Sequence, residues 1–292
     1  MQIKYDDKQQ EIKINVEQQT TDNSIQEYKI AAKTGDIASQ YALGICYEKG
    51  IGTPVNKRFS LRWYTEAANK GHSEAQYKLG KYFAEGIGVK KNKTTAFKWY
   101  IKAANLGETK AQYEVATCYN EGIGTPKNLE LAIKWYTEAA TAGDECAQVA
   151  LANCYSEGIG VEKDEELAMQ WYKKAAKQQL PEAQSKLADC YNYGVGIKEN
   201  EEKAVKWYKK AAKQMDIYAQ NKLGDCYYYG TGVKTNTTKA VKWYKRAAEQ
   251  GYGEAQHNLA FCFEKGIGVE QNTEQSIKWY KKATAQGYTV AE

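Results

Sequence analysis

Histidine is almost missing from this chain. It occurs twice in 292 residues, as His72 and His257, which lie far apart in the sequence. That scarcity removes the side chain most often used as a general base or metal ligand near neutral pH. No HExxH, GxSxG or P-loop string compensates for it. Proline is scarce too, at three residues, so helices can run without interruption. No apolar run approaches the roughly 18 residues of a membrane-spanning helix. The polar N-terminal stretch, MQIKYDDKQQEIKINVEQQ, has no apolar core of about 7–15 residues, and a secretory signal is not expected. A cytoplasmic address follows, or a nuclear one. Net charge is only +5, a weak pull toward nucleic acid. Hydrophobic residues make up 42%, enough to build a core.

What is abundant is order along the chain. All seven tryptophans precede a tyrosine, and they recur every 36 residues at Trp63, Trp99, Trp135, Trp171, Trp207, Trp243 and Trp279. A fixed step of this size marks stacked repeats, which present an extended surface rather than one enclosed pocket. In the unit 73–108, Ala75, Leu79, Tyr82 and Phe83 share one helical face. Gly86 stands where a left-handed residue ends that helix. Asn92 is placed to cap a second helix, whose buried face is read as Ala96, Trp99, Tyr100 and Ala103. Gly107 ends it. The cap position reads Asn56, Asn92, Asn128, Asp164, Asn200, Asn236 and Asn272, all preferred capping residues. A small residue follows each first-helix leucine or its equivalent (Gly44, Gly80, Ala116, Ala152, Ala188, Gly224, Ala260). The opposing indole is expected to fill the space it leaves. Gln179 and Met215 replace the helix-ending glycine, and a local change of curvature is expected there, with Pro181 able to stop the helix instead.

The expected fold is all-α: a right-handed α-solenoid of seven 36-residue helix-turn-helix repeats over 37–288, preceded by a half-repeat helix at 25–36. Residues 1–24 lie outside the pattern. Alternation of Ile3, Tyr5, Ile12, Ile14 and Val16 permits a strand pair, and a disordered tail is the favoured reading. At the other end Ala291 is in register with Ala255, so 289–292 read as the start of an eighth unit. The expectation is a fragment of a longer protein, or self-association end to end.

Six of seven cysteines occupy one repeat position (Cys46, Cys118, Cys154, Cys190, Cys226, Cys262), and Cys146 stands apart. Stacked helices lie about 8–10 Å apart, whereas a disulfide needs Cα atoms within about 7 Å. Reduced, buried thiols acting as apolar filler are expected. A ladder also spreads donors too widely for zinc. Gln40, Gln76, Gln112, Gln148, Gln184, Gln220 and Gln256 recur at one first-helix position, where each amide is expected to bridge neighbouring helices.

The pattern A-x-Q-x-x-L-G/A-x-C-Y…G-x-G-V/T…N…A-x-K-W-Y-x-K-A-A-x-x-G resembles the Sel-one-like repeat family, a branch of the tetratricopeptide-type solenoids, over about nine-tenths of the chain. The resemblance implies an adaptor for membrane-associated degradation machines, cell-wall synthesis regulators or signalling complexes. Bacterial cysteine-rich members pair two cysteines per repeat as disulfides. This chain has one per repeat, so that trait and its extracellular setting are not carried over.

No catalytic residue, cofactor or metal site is expected, since no nucleophile has a base within reach. The function read from the sequence is a non-enzymatic scaffold that binds a protein or peptide partner along the concave groove lined by first helices. Contact with nucleic acid is not expected, nor with a membrane except through a partner. Alternatives are a regulatory module for a kinase or wall-synthesis enzyme, and a hydrolase using a groove carboxylate. The candidate partner-binding residues are Tyr41, Tyr77 and Tyr113, with Ile45 and Lys81 a turn further on, and Tyr193, Tyr228 and Tyr229 near first-helix ends. On the second helices Lys206, Lys209, Lys210, Lys242, Lys245, Arg246, Lys278, Lys281 and Lys282 should form a basic stripe, read chiefly as a solubilising surface.

Overall fold

A computed structural model describes residues 22–288, which form fifteen α-helices and no strand. The tail readings for residues 1–21, and the eighth-unit reading for 289–292, lie outside the described residues. The first helix, α1 (Asp22–Lys33), begins three residues before the expected boundary. The helices form two compact units, divided after Asp144.

The first unit holds α1 and three helix pairs. These are α2 (Ile37–Lys49) with α3 (Lys57–Asn69), α4 (Ser73–Glu85) with α5 (Lys93–Asn105), and α6 (Thr109–Glu121) with α7 (Leu129–Thr141). The second unit holds four pairs. They are α8 (Glu145–Glu157) with α9 (Glu165–Lys177), α10 (Pro181–Tyr193) with α11 (Glu201–Lys213), α12 (Ile217–Tyr229) with α13 (Thr237–Glu249), and α14 (Gly253–Lys265) with α15 (Thr273–Thr284). Within each unit every helix packs on its chain neighbours, as in an α-solenoid. Buried alanines (Ala67, Ala68, Ala103, Ala104, Ala211, Ala212) let the helices approach closely.

Local chemistry sets the starts of the second helices and the ends of the first. The side chains of Asn56, Asn92, Asn128, Asp164, Asn200, Asn236 and Asn272 all accept a backbone N–H in the first turn of a second helix. First helices end on left-handed glycines such as Gly50, Gly86 and Gly194. The second loop glycine also holds the stacking distance. A Cβ on Gly196 would lie 2.0 Å from the Glu165 carbonyl oxygen. Gln179 and Met215 keep the same backbone as the glycines they replace, each with φ of 68°. Pro181 sits at the start of α10.

The tyrosine of the Trp-Tyr pair, not the tryptophan, lies against the small first-helix residue. A Cβ on Gly44 would fall 2.3 Å from the Tyr64 ring, and one on Gly224 would fall 2.5 Å from the Tyr244 ring. Tyr64 and Tyr208 are fully buried, while Trp63, Trp99, Trp207 and Trp243 are only half-buried. The expectation that indoles fill this space is therefore corrected. The indole, one residue earlier and so turned about 100° around the helix from the tyrosine, points elsewhere and has a cation over its face. Lys210 Nζ is 3.8 Å from the Trp207 ring centre and Lys174 Nζ 3.7 Å from that of Trp171.

The glutamine ladder joins helices as expected, and it does so differently in the two units. The Nε2 groups of Gln40, Gln76, Gln184, Gln220 and Gln256 donate to alanine carbonyls eight residues earlier. In the second unit a further glutamine, 30 residues on, donates to the Oε1 of the ladder residue. Gln178 reaches Gln148, Gln214 reaches Gln184, Gln250 reaches Gln220 and Gln286 reaches Gln256, at 2.8–3.0 Å. In the first unit that position holds Lys70, Leu106 and Ala142, and the Oε1 atoms of Gln40, Gln76 and Gln112 are buried without a partner. The six thiols of the cysteine ladder are buried, and burial pushes Cys46 up to about 11 and Cys226 up to about 12.

Two substitutions test these contacts. Leu106, at a second-helix end and 56% exposed, can become glutamine without emptying the core. Leu106→Gln should raise stability by about 1 kcal/mol through a bond to Gln76 Oε1, read as a higher urea midpoint at unchanged slope. A midpoint that stays or falls would show that the clasp contributes nothing. Met215→Gly should stabilise by about 0.5–1 kcal/mol, because relief of left-handed strain exceeds the entropy cost of glycine. A lower thermal midpoint would refute it.

Candidate protein-binding face

On first helices of the second unit, positions spaced i, i+4, i+7 and i+11 form one outward stripe. In α10 these are Glu182, Lys186, Asp189 and Tyr193. In α12 they are Tyr218, Lys222, Asp225 and Tyr229. The second-helix tyrosines, most of them buried, reach past the small residues and place their hydroxyls on polar side chains of the first helices. Tyr64 donates to Glu48 at 2.7 Å, Tyr244 to Asp225 at 2.9 Å and Tyr280 to Glu264 at 2.9 Å. Tyr172 donates to Asn153 and Tyr208 to Asp189. Burial pushes these phenols upward, so they remain donors at neutral pH.

In the first unit the expected tyrosines divide by burial. Tyr41 is packed away, stacked on His72 with ring centres 4.3 Å apart, and Ile45 is buried beside it. Both still border a cleft of about 180 Å³ with Tyr77, Lys78, Glu74 and Lys110. Tyr77 and Tyr113 are half-buried, each tilted against a second-helix tyrosine at 6.0 Å. Lys81 pairs with Glu85 at 3.5 Å. Glu48 accepts from Lys78 at 2.8 Å as well as from Tyr64. Burial opposes ionisation there, but these bonds and the nearby ammoniums prevail and hold the carboxyl below its usual range.

The second unit is richer in exposed rings. Tyr193 is 61% exposed and Tyr229 73% exposed, with Tyr228 edge-on to Tyr229 at 4.8 Å. Between them lies a polar network that the repeat pattern does not announce. Asp189 accepts from Tyr208 and from Tyr218, whose hydroxyl is 3.0 and 3.1 Å from its two oxygens. Lys222 lies 3.6 Å from Asp225 and 3.3 Å from Glu254. Asn258 donates to Asn221 at 3.2 Å. Burial raises the Asp189 carboxyl above its usual range despite its two phenol donors. The stripe residues at 189, 218, 222 and 225 escaped the sequence reading. Reading that column of the repeats separately would have shown its shift from Ile45 and Lys81 to two aspartates.

The basic stripe on the second helices is present, but part of it is engaged with indoles. Besides Lys210, Arg246 lies 4.6 Å from the Trp243 ring centre and Lys282 4.2 Å from that of Trp279. Among the described residues no group of His, Cys, Asp and Glu is arranged to hold a metal ion, and no helix is long and apolar enough to cross a membrane.

Comparison with known proteins agrees with this architecture. The Sel1 repeat model matches residues 37–72, 73–108, 109–144, 147–180, 181–214, 217–252 and 253–288. The chain belongs to the Sel1-repeat family. Its structure is similar to that of c5321, a protective antigen of uropathogenic Escherichia coli with an SLR fold. That match has a TM-score of 0.81 and 35% identity, and covers 89% of this chain and 56% of the antigen. This chain thus spans just over half of the antigen's length. It is also similar to a Sel1 repeat protein from Oxalobacter formigenes, with a TM-score of 0.74 and 29% identity, over 95% of this chain and 82% of the other. No functionally curated protein matches the chain.

The raised Asp189 carboxyl has a pH consequence. A native-state value above the unfolded one favours the folded protein below the unfolded value, and this contribution is lost as pH rises through the native value. Asp189→Asn keeps an acceptor for both phenols and removes the charge. Its thermal midpoint should equal or exceed that of the parent at pH 7, and the difference should close as pH falls toward the carboxylate range. A clear loss of stability at pH 7 would show that the charge itself supports the fold.

Proposed function

We propose that this chain is a non-enzymatic scaffold that holds a segment of a partner protein along its first-helix face. Sel1-repeat proteins are typically protein–protein interaction scaffolds. The observation that carries the reading is the row of exposed tyrosines, Tyr193 and Tyr229, one repeat apart beside a half-buried polar network. A large ring left in water at equivalent places costs the monomer apolar exposure. It gains area on binding at a small entropic cost. Several modest contacts, from successive repeats of the second unit, would add up to useful affinity.

The test is site-specific photo-crosslinking. A benzophenone amino acid replaces Tyr193 or Tyr229 in one set of proteins, and Lys209 or Lys242 on the second helices in another. Adducts with a shared partner band should form from the first set. Adducts confined to the second set would move the binding surface to the basic side and sink the reading.

A further inference from the structure

One departure from the repeat pattern identifies the partner's chemistry, on the premise that the chain is the scaffold proposed for it. In α12 the Lys222 ammonium sits between two carboxylates, Asp225 of its own helix and Glu254 of the next pair. The same construction one repeat earlier would place Lys186 between Asp189 and residue 218. Residue 218 is tyrosine, and its hydroxyl turns to Asp189 instead. Lys186 is exposed, and among the described residues no cation of the chain pairs with Asp189. Asp189 is thus a half-buried carboxylate with phenol donors below it and no directly paired cation, the charges of Lys186 and Lys222 acting on it only from beyond ion-pair distance.

Three further observations point the same way. Tyr193, one turn along from Asp189, offers an exposed ring, and Tyr218 offers a half-buried one beside it. The Oδ1 of Asn192, on the same turn as Asp189, is buried and accepts no hydrogen bond. Finally, the sign of the face opposes that of the chain. Glu182, Asp189, Asp225 and Glu254 outnumber Lys186 and Lys222 here, although the whole chain carries +5. An anion is excluded by that sign. A single carboxylate with one amide oxygen is too few ligands for a divalent metal. A guanidinium or ammonium group answers all the features together. It pairs with the carboxylate, donates to the idle amide oxygen and lies against aromatic faces.

We propose that this face binds a basic, extended segment of a partner protein, with an arginine or lysine side chain seated on Asp189 beside the Tyr193 and Tyr218 rings. Lys222 already supplies the equivalent charge one repeat later, so the strongest demand for an incoming cation is at Asp189.

The experiment is fluorescence anisotropy with the full chain and labelled glycine–serine peptides carrying spaced arginines, citrullines or glutamates. The arginine peptide should bind, more weakly as salt rises. Citrulline should weaken binding about tenfold or more, since it removes the charge and keeps the shape. Asp189→Asn should reduce arginine-peptide binding by a similar factor and leave citrulline-peptide binding unchanged, while Lys209→Ala should alter neither. No binding of the arginine peptide up to millimolar concentration, equal binding of the glutamate peptide, or an arginine preference that survives Asp189→Asn would each overturn the proposal. Crosslinks from Tyr193 that persist after any of those outcomes would leave the scaffold function standing. Crosslinks confined to the second helices would remove both.

Discussion

A pair of short helices, each about four turns long, cannot shield its own apolar side. In three of the seven repeats the contact that lets neighbours do so includes a ring against a missing methyl, and the other four carry alanine at that place. Where Gly44, Gly80 or Gly224 presents bare backbone, a second-helix tyrosine lies where a Cβ would be. Much else depends on that closeness. It brings alanine rows into contact, and it sets the second loop glycine hard against the start of the preceding second helix. It also carries a phenol hydroxyl through the layer to the opposite face. The tyrosines are thus packing units with a polar end, and that end underlies the polar chemistry of the first-helix face.

The basic second helices and the acidic stripe around Asp189 give the second unit two surfaces of opposite character. The lysines above the indoles serve as lids on half-buried aromatic rings, which explains why a cation recurs three residues after each tryptophan from Trp171 to Trp279. Their charge is partly committed to the chain itself. The first-helix stripe differs, because its charges and rings are left incompletely matched. A surface with unsatisfied valences at defined places is better suited to selecting a partner than one whose groups are already occupied.

Features that repeat were legible in the sequence. Capping asparagines, loop glycines, the thiol column and the glutamine ladder each recur at a fixed offset, and each performs a local task that needs no knowledge of distant residues. Three things were not legible. Tryptophan and tyrosine are adjacent, and composition alone does not say which of two neighbouring rings turns toward the gap. The burial of Tyr41 depends on His72, which only the first full repeat provides. The Asp189 arrangement depends on an exchange at residue 218, which belongs to the next repeat. Consensus reading averages away such single departures, and here they carry the specificity.

The glutamine ladder differs between the two units. Four amide pairs fasten second-helix ends to first helices beyond Glu145, while three buried oxygens before it have nothing to hold. The early repeats are joined across their layers by other polar contacts, such as Gln76 to the Ala68 carbonyl and Lys78 to Glu48. The amide clasp is added only in the half that carries the exposed rings, where Gln184, Gln220 and Gln256 are each held at both ends of the amide.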